Sequence, residues 1–187
     1  MTNFQFSEQL VMRDMALKLD VNTIHECPKL LKAHISLTNQ FIHAEKLVML
    51  PYFVALLLWT GQRPNILRST KSIASFHVKK NSPIGCFVTL RKEAFNQFFT
   101  KACLEMFPRM QPQTQTNIAK VEQNRVDFGL DSFLKCNEIQ SNTDLFDFLE
   151  GCSCSISTTG KTVQHTKVLV SSFQFPVFKK SQLHGEF

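Results

Sequence analysis

An uninterrupted apolar stretch at residues 47–59, LVMLPYFVALLLW, limits the folds open to this chain more than any other sequence feature. Its thirteen residues are too few for a membrane-spanning helix, which needs roughly 20. A helix over about 43–58, buried against a sheet, accounts for the pattern better than a membrane span. Pro51 is expected to kink this helix or to occupy the first turn of its second half, and Gly61 to end it.

Alternation of apolar and polar residues predicts two half-buried strands. Residues 30–37 place Ala33, Ile35 and Leu37 on one side of a strand and polar side chains on the other. Residues 152–158, CSCSIST, alternate in the same way, with serines on the polar side. Each strand is therefore expected to present one face to a core and the other to solvent.

The remaining patterns complete an α+β chain. The interleaved order, with a hairpin in the middle, predicts a ferredoxin-like or RRM-like antiparallel sheet with helices packed on one face. We expect a single domain over residues 1–187, with a polar loop or insert near 110–124. The other predicted elements are helices at 6–19, 93–107 and 162–173, a helical turn or loop at 144–150, and strands at 73–78, 84–90 and 126–134, the last broken near Gly129.

The six cysteines show no C-x-x-C pair and no histidine at zinc-ligand spacing, so no metal site is predicted. They are expected to be small buried hydrophobes in a reducing compartment. A disulfide between Cys152 and Cys154 is not expected, because side chains two apart on a strand diverge. The N-terminus resembles neither a secretory signal nor an arginine-rich presequence, so either the protein is made where it works or a presequence has been removed.

Positive charge is concentrated in one contiguous block. Residues 62–109 contain nine basic and two acidic residues, a net charge of +7, whereas the whole chain carries +6. A solvated face would explain such a run, but this one lies on strands and their connections, interleaved with hydroxyl and amide side chains. Lysine and arginine neutralise phosphates, and hydroxyls and amides position a nucleic-acid backbone, so the block favours nucleic acid over a membrane surface.

Catalytic patterns are weak by comparison. Neither a P-loop nor a G-x-G-x-x-G motif occurs, so nucleotide hydrolysis and Rossmann chemistry have no support. A thiol-dependent enzyme with a cysteine and a histidine meeting in space is an alternative, and rapid alkylation of one cysteine would support it. The preferred interpretation has no enzymatic activity and no cofactor.

Five short motifs follow one another in the middle of the chain: TGQRP at 60–64, TKSIA at 70–74, PIGC at 83–86, VTLR at 88–91 and FPR at 107–109. This ordered set resembles the bacterial form of the large-subunit ribosomal protein L5 family. The family patterns T-G-Q-K-P, K-K-S-[IV]-A-G-F, P-[IV]-G-C, V-T-L-R and [AL]-P-R occur in the same order and with matching spacing. Weaker similarity extends to STTGK at 157–161 and FQFP at 173–176, and so covers most of the chain.

The resemblance implies a structural protein rather than an enzyme. Members of the family bind 5S rRNA in the central protuberance of the large ribosomal subunit and approach the P-site tRNA through a loop between two strands. The implied partners are 5S rRNA or its equivalent, large-subunit rRNA, P-site tRNA, neighbouring central-protuberance proteins and a small-subunit head protein. A free-standing RNA-binding module with the same sandwich fold, outside the ribosome, is the alternative.

Candidate contacts are carried over from the motifs residue by residue. The rRNA-binding candidates are Gln62, Arg63, Arg68, Lys71, Ser72, Thr89, Arg91 and Arg109. The loop that faces tRNA would consist of His77, Lys79, Lys80, Asn81 and Ser82.

Several departures from the family pattern bear on these expectations. Residues 110–124 contain neither the R-D-F-R-G segment nor the F-D-G-R-G-N hairpin of the family. Ser75 and Lys92 stand where glycine is usual, and Asn81 replaces a loop glycine. Together with the phenylalanine-rich, glycine-poor composition, this divergence suggests a mitochondrial member of the family.

Overall fold

The computed structural model describes residues 3–19, 23–39, 42, 46–109, 120–130, 136–140, 143–146, 149, 151–173 and 175. Within them lies a six-stranded sheet whose neighbouring strands all run antiparallel. The strands are β1 (Leu30–Thr38), β2 (Asn65–Arg68), β3 (Pro83–Arg91), β4 (Lys120–Val121), β5 (Arg125–Leu130) and β6 (Cys152–Thr158), in the spatial order β2-β3-β1-β6-β5-β4.

Helices supply the second layer. The described α-helices are α1 (Asn3–Lys18), α2 (Met49–Thr60), α3 (Lys92–Lys101), α4 (Phe107–Arg109), α5 (Asn137–Gln140), α6 (Thr143–Phe146) and α7 (Val163–Ser172). A π-helical segment, Ala102–Met106, joins α3 to α4, and short 3-10 helices occupy Ile24–Glu26, Lys46–Val48 and Ala74–Phe76. The predicted α+β class, with an antiparallel sheet and helices on one face, is confirmed.

The central strand β1 shows how the alternating sequence produces this arrangement. Ala33, Ile35 and Leu37 are completely buried, whereas His34 and Ser36 between them are partly exposed. Because successive side chains on a strand point to opposite faces, one face of the sheet packs against the helical layer and the other stays polar. Strand β6 follows the same rule and lies beside β1, with the same alternation that its sequence predicted.

Helix α2 is only half buried. Tyr52, Leu56 and Trp59 are enclosed in the core, and the Trp59 ring meets the Phe98 ring of α3 edge to face at 4.9 Å. The helix is thus buried against the sheet on one side, as expected, while its opposite side exposes Leu50, Val54 and Leu58. Pro51 lies in the first turn, and Gly61 ends the helix with a φ of +67°, a backbone conformation that glycine adopts without strain.

The remaining helices extend the core. In α3, which begins the predicted helix at 93–107, the rings of Phe95, Phe98 and Phe99 are buried. A smaller apolar cluster joins α1 to α7 through Val11, Met15 and Leu169. None of the described helices is both long enough and apolar enough to cross a membrane.

The predicted strand at 73–78 is wrong. Only a single bridge pairs Ile73 with Val78, and a 3-10 helix, Ala74–Phe76, fills the space between them. The edge strand is instead β2, eight residues earlier, which pairs with β3. Apolar side chains near 73–78 suggested burial, but Ile73 and Phe76 are 47% and 68% exposed. Packing against a core therefore does not stabilise a strand over these residues.

Two further boundaries differ from the predictions. The polar segment at 110–124 includes a strand, β4, which forms a hairpin with β5; residues 110–119 lie outside the described part. Strand β5 passes through Gly129 without a break, because Gly129 keeps its place opposite Ser153 of β6. The predicted continuation of this strand over 131–134 also lies outside the described residues.

The cysteines behave as buried apolar groups. All six are unpaired thiols; Cys103 is partly exposed and the other five are buried. Burial raises the pKa of Cys86 to about 11 and that of Cys103 to about 12. Cys152 and Cys154 form no disulfide, as predicted, but their sulfur atoms approach to 3.7 Å on the shared buried face, closer than the argument from diverging side chains implied.

Candidate nucleic-acid interface

The face of the sheet that none of the described helices covers is an extended polar surface, which we call the open face. Cross-strand pairing arranges its side chains in rows that run across the strands, because residues paired in an antiparallel sheet point to the same side. Every member is at least partly exposed. The rows are Arg91-Lys32-Ser157-Arg125, Thr89-His34-Ser155-Asp127-Lys120 and Asn65-Phe87-Ser36-Ser153-Gly129.

The first row carries three cations. Arg91 of β3, Lys32 of β1 and Arg125 of β5 belong to a row across four successive strands, in which Ser157 of β6 separates the last two. Neighbouring strands are about 4.8 Å apart, so the row extends over roughly 14 Å of the surface. Such a line of positive side chains can follow the phosphates of a nucleic-acid backbone.

Asp127 partly balances this charge at one end. Its carboxylate accepts a hydrogen bond from Nε of Arg125 at 2.6 Å, an exposed ion pair within the β5 strand. Lys120 pairs with Glu122 at 2.9 Å in the neighbouring turn. Around Arg91 and Lys32, at the other end of the row, no ion pair is formed within the described residues, so positive potential is stronger there.

Three polar side chains are held in place beside this row. Nε2 of Gln62 donates to the backbone oxygen of Thr89 at 3.4 Å, and the Thr89 hydroxyl shares a 3.1 Å hydrogen bond with Nδ1 of His34. Burial, then the charges of Lys32 and Arg125, lower the pKa of His34, which keeps its imidazole neutral at neutral pH. The group therefore offers uncharged donors and acceptors next to the cations.

The structure brings together half of the predicted rRNA-binding side chains. Gln62, Thr89 and Arg91 lie at one edge of the open face, and Arg63 follows Gln62 immediately along the chain. Gly61, in its left-handed conformation, turns the chain from α2 into this edge. All four side chains are exposed or partly exposed.

A second group lies on the connection between β2 and β3. Here backbone hydrogen bonds join Ser69 to Ser82 at 2.9 Å and Asn81 to Ser69 at 2.8 Å, while Nη1 of Arg68 donates to the Asn81 carbonyl at 3.2 Å. The connection at 69–82 thus consists of turns held together by these hydrogen bonds, and we call it the braced loop. It carries the predicted residues Lys71, Ser72, His77, Lys79, Lys80, Asn81 and Ser82.

Left-handed backbone conformations shape this loop. His77 and Asn81 have φ values of 54° and 68°, and asparagine occupies that region more readily than most residues. The substitution of asparagine for the family's glycine at this position is therefore compatible with the turn. The Ser82 hydroxyl closes it by donating to the Lys79 carbonyl at 2.7 Å.

Arg109 lies apart from both groups. It ends α4 in the helical layer, where Nη1 donates to Oδ1 of Asn137 at 2.5 Å. The Asn137 amide in turn donates to Glu105 at 2.9 Å. The structure thus separates Arg109 from the open face and gives it contacts that tie α4 to α5.

Sequence reasoning missed several members of the open face. Lys32 and Arg125 lie outside the basic block at 62–109, and His34, Phe87 and the β6 serines were not singled out as site residues. Alternation in β1 and β6 had already placed His34 and the serines on polar faces. What the sequence lacked was the pairing that makes those two faces one surface.

An antiparallel α+β sandwich with a cationic, hydroxyl-rich open face defines the structural class of this protein. Residues 83–177, just over half of the chain, match the model of the C-terminus of the ribosomal L5 protein family. The chain therefore belongs to the ribosomal L5 family.

Curated relatives extend the match over nearly the whole chain. The large ribosomal subunit protein uL5m of Reclinomonas americana is 29% identical over 174 residues, 92% of this chain and 96% of the relative. Large ribosomal subunit protein uL5 of Bordetella pertussis is 28% identical over 173 residues, with the same two coverages. Ribosomal proteins of this family are structural, so the prediction that the chain is not an enzyme is confirmed.

Proposed function

We propose that this protein is a structural component of a large ribosomal subunit that binds 5S rRNA, or an rRNA element in its place, in the central protuberance. The observation that carries the proposal is the cationic row of Arg91, Lys32 and Arg125 on the uncovered sheet face. Family membership and relatives named as large-subunit proteins support the ribosomal setting.

The geometry suits recognition of folded RNA. A rigid sheet presents its charges and the Gln62–Thr89 pair at fixed positions, and structured RNA is recognised mostly by its shape, phosphates and 2′-hydroxyls. In the proposed complex Gln62, Arg63, Thr89 and Arg91 contact rRNA from the sheet edge. Arg68 at the end of β2, and Lys71 and Ser72 within the loop at 69–82, extend the contact. Arg109 reaches rRNA from the helical layer.

Within the braced loop at 69–82, we propose that one part approaches the P-site tRNA: His77, Lys79, Lys80, Asn81 and Ser82. Lys79 and Lys80 lie at its turn, where Lys80 is exposed, and Phe76 protrudes with 68% of its surface accessible. Two basic side chains on a stiff turn can meet a phosphate backbone with little loss of conformational entropy. Central-protuberance proteins and a small-subunit head protein would be its neighbours.

We further propose a mitochondrial ribosome as the setting and a single domain as the organisation. The composition and the relative named uL5m in Reclinomonas americana support the mitochondrial assignment. Bacterial relatives are nearly as similar, so localisation needs its own measurement. A tagged chain that co-purifies with mitochondria would meet the expectation, and a chain found only elsewhere in the cell would contradict it.

A salt titration tests RNA binding directly. Binding of the full chain to a 5S rRNA transcript should weaken as salt rises, with a slope set by the number of phosphate contacts. Arg91→Ala and Lys71→Ala should each weaken binding and lower the slope by about 1. Lys167→Ala, an exposed lysine of α7, is the matched control and should change neither quantity.

Equal affinity and equal slope for wild type and both variants would contradict the proposal.

Sedimentation separates the ribosomal setting from a free-standing RNA-binding module with the same fold. The ribosomal protein should migrate with large subunits at moderate salt. A chain that binds the transcript but sediments apart from ribosomes would favour the free-standing module.

A further inference from the structure

The open face holds one aromatic ring whose position the contacts above leave unexplained. Phe87 of β3 points away from the core, is partly exposed, and lies with its ring centroid 5.4 Å from that of His34 at an interplanar angle of 43°. Its neighbours across the strands are small or polar: Asn65 on one side and Ser36 on the other. A ring in that setting can be reached from solvent.

A concavity begins next to this ring. Its volume is about 370 Å³, within the range of about 300–1,000 Å³ typical of ligand pockets. His34 and Ser36, the neighbours of Phe87, line its near end, and Ser153 and Ser155 of the next strand also line it. Gly129, which continues the row of Phe87 and Ser36, lines it without contributing a side chain.

We propose that Phe87, His34 and this concavity form a binding site for one unpaired nucleotide. Its base stacks on the Phe87 and His34 rings, and its polar edge and sugar face the serine hydroxyls. This inference rests on the proposed RNA-binding function and adds to it a requirement for a nucleotide outside the duplex.

Charge and chemistry favour a base over other occupants. The cationic row lies beside the site and can hold the flanking phosphates. Arg125 and Lys120 line the end of the concavity farthest from Phe87, where the Asp127 carboxylate is already paired with Arg125. Because a paired base inside a helix hides its faces, only an unpaired or flipped nucleotide can stack on Phe87. Antiparallel sheets in RNA-binding modules use aromatic side chains in this manner.

Two RNA probes separate stacking from backbone binding. One is a fully paired RNA hairpin, and the other is the same hairpin with a single unpaired 2-aminopurine in its stem. The full-length protein should bind the second probe about fivefold to a hundredfold more tightly, the range expected for one stacked base. Its 2-aminopurine fluorescence should be quenched on binding.

The variants localise that preference. Phe87→Leu keeps an apolar side chain but removes the ring, so it should markedly lower the preference for the unpaired nucleotide and weaken the quenching, since only the His34 ring is left for stacking. Phe87→Tyr retains the ring and should retain the preference, which controls for a general disturbance of the sheet. Arg91→Gln should weaken both complexes by the same factor and preserve their ratio.

Each outcome bears on one of the two proposals. Salt-sensitive binding of both hairpins with equal affinity would overturn the nucleotide site and leave the proposed function standing. An undiminished preference in Phe87→Leu would also overturn the site. If the wild-type protein binds neither of the two hairpins nor a 5S rRNA transcript, the proposed function and this inference are both overturned.

Discussion

Nδ1 of His34 and Oγ1 of Thr89 lie 3.1 Å apart, joining two directly paired residues of β1 and β3 on the open face. The pair fixes the imidazole between Phe87 on one side and the serine-lined concavity on the other. Together with the hydrogen bond from Gln62 to the Thr89 carbonyl, it links the edge of the sheet to its centre. The titration of His34 therefore reports on the geometry of the whole site.

His34 should titrate below the usual range of histidine. Its pKa is lowered in the folded protein, chiefly by burial, so the unfolded chain binds more protons as the pH falls below about 6.5. The stability that His34 contributes is fully present above that pH and is lost as the pH falls toward the folded-state pKa. NMR titration of the imidazole should give a lowered pKa, and His34→Gln should flatten this part of the stability profile; an unshifted pKa would contradict the burial.

Gly85→Ala should strongly destabilise the fold. A Cβ atom at Gly85 would overlap the backbone oxygen of Leu37 in the neighbouring strand, and a backbone atom cannot move aside without distorting the β1–β3 pairing. We expect a loss of about 2–4 kcal/mol in the free energy of unfolding, measured by urea denaturation. Gly129→Ala is the matched control, because its nearest contact would be 4.0 Å away, and it should change stability by less than about 1 kcal/mol.

Lys92→Gly should stabilise the protein. Lys92 begins α3 with a φ of 52°, a left-handed conformation that costs a non-glycine residue on the order of 1 kcal/mol. Glycine relieves this cost, so the thermal midpoint should rise. Glu93→Gly, one residue further into the helix, should instead lower stability by about 1 kcal/mol, and an equal loss in both variants would contradict the backbone argument.

The buried thiols should react slowly with alkylating reagents. Burial raises the pKa of Cys86 to about 11 and the pKa values of Cys103 and Cys136 to about 12, so little thiolate forms at neutral pH. Mass spectrometry after iodoacetamide treatment should show modification only when urea unfolds the chain. Rapid labelling of one cysteine in the folded protein would revive the thiol-enzyme alternative.

Local sequence patterns were sufficient for the elements that lie at the centre of the fold. The alternation in β1 and β6 and the phenylalanine spacing of α3 each reflect one apolar side, and burial of that side in the core stabilises the element. The edge strand β2 has no such signal, because its residues are exposed or only partly buried and its strand conformation depends on pairing with β3. The single-domain organisation stays a prediction.

The candidate site shows the same division. The sequence by itself determined the basic block and the motifs that led to Gln62, Thr89 and Arg91, since each motif is a short contiguous run of residues. Only the tertiary structure brought Lys32 and Arg125 into line with Arg91 and placed Phe87 beside His34. The alternation of apolar and polar residues in a strand depends on that strand's own sequence. Which side chains share a sheet surface depends instead on which strands pair and in which register, and the pairing is set by segments far apart in the chain.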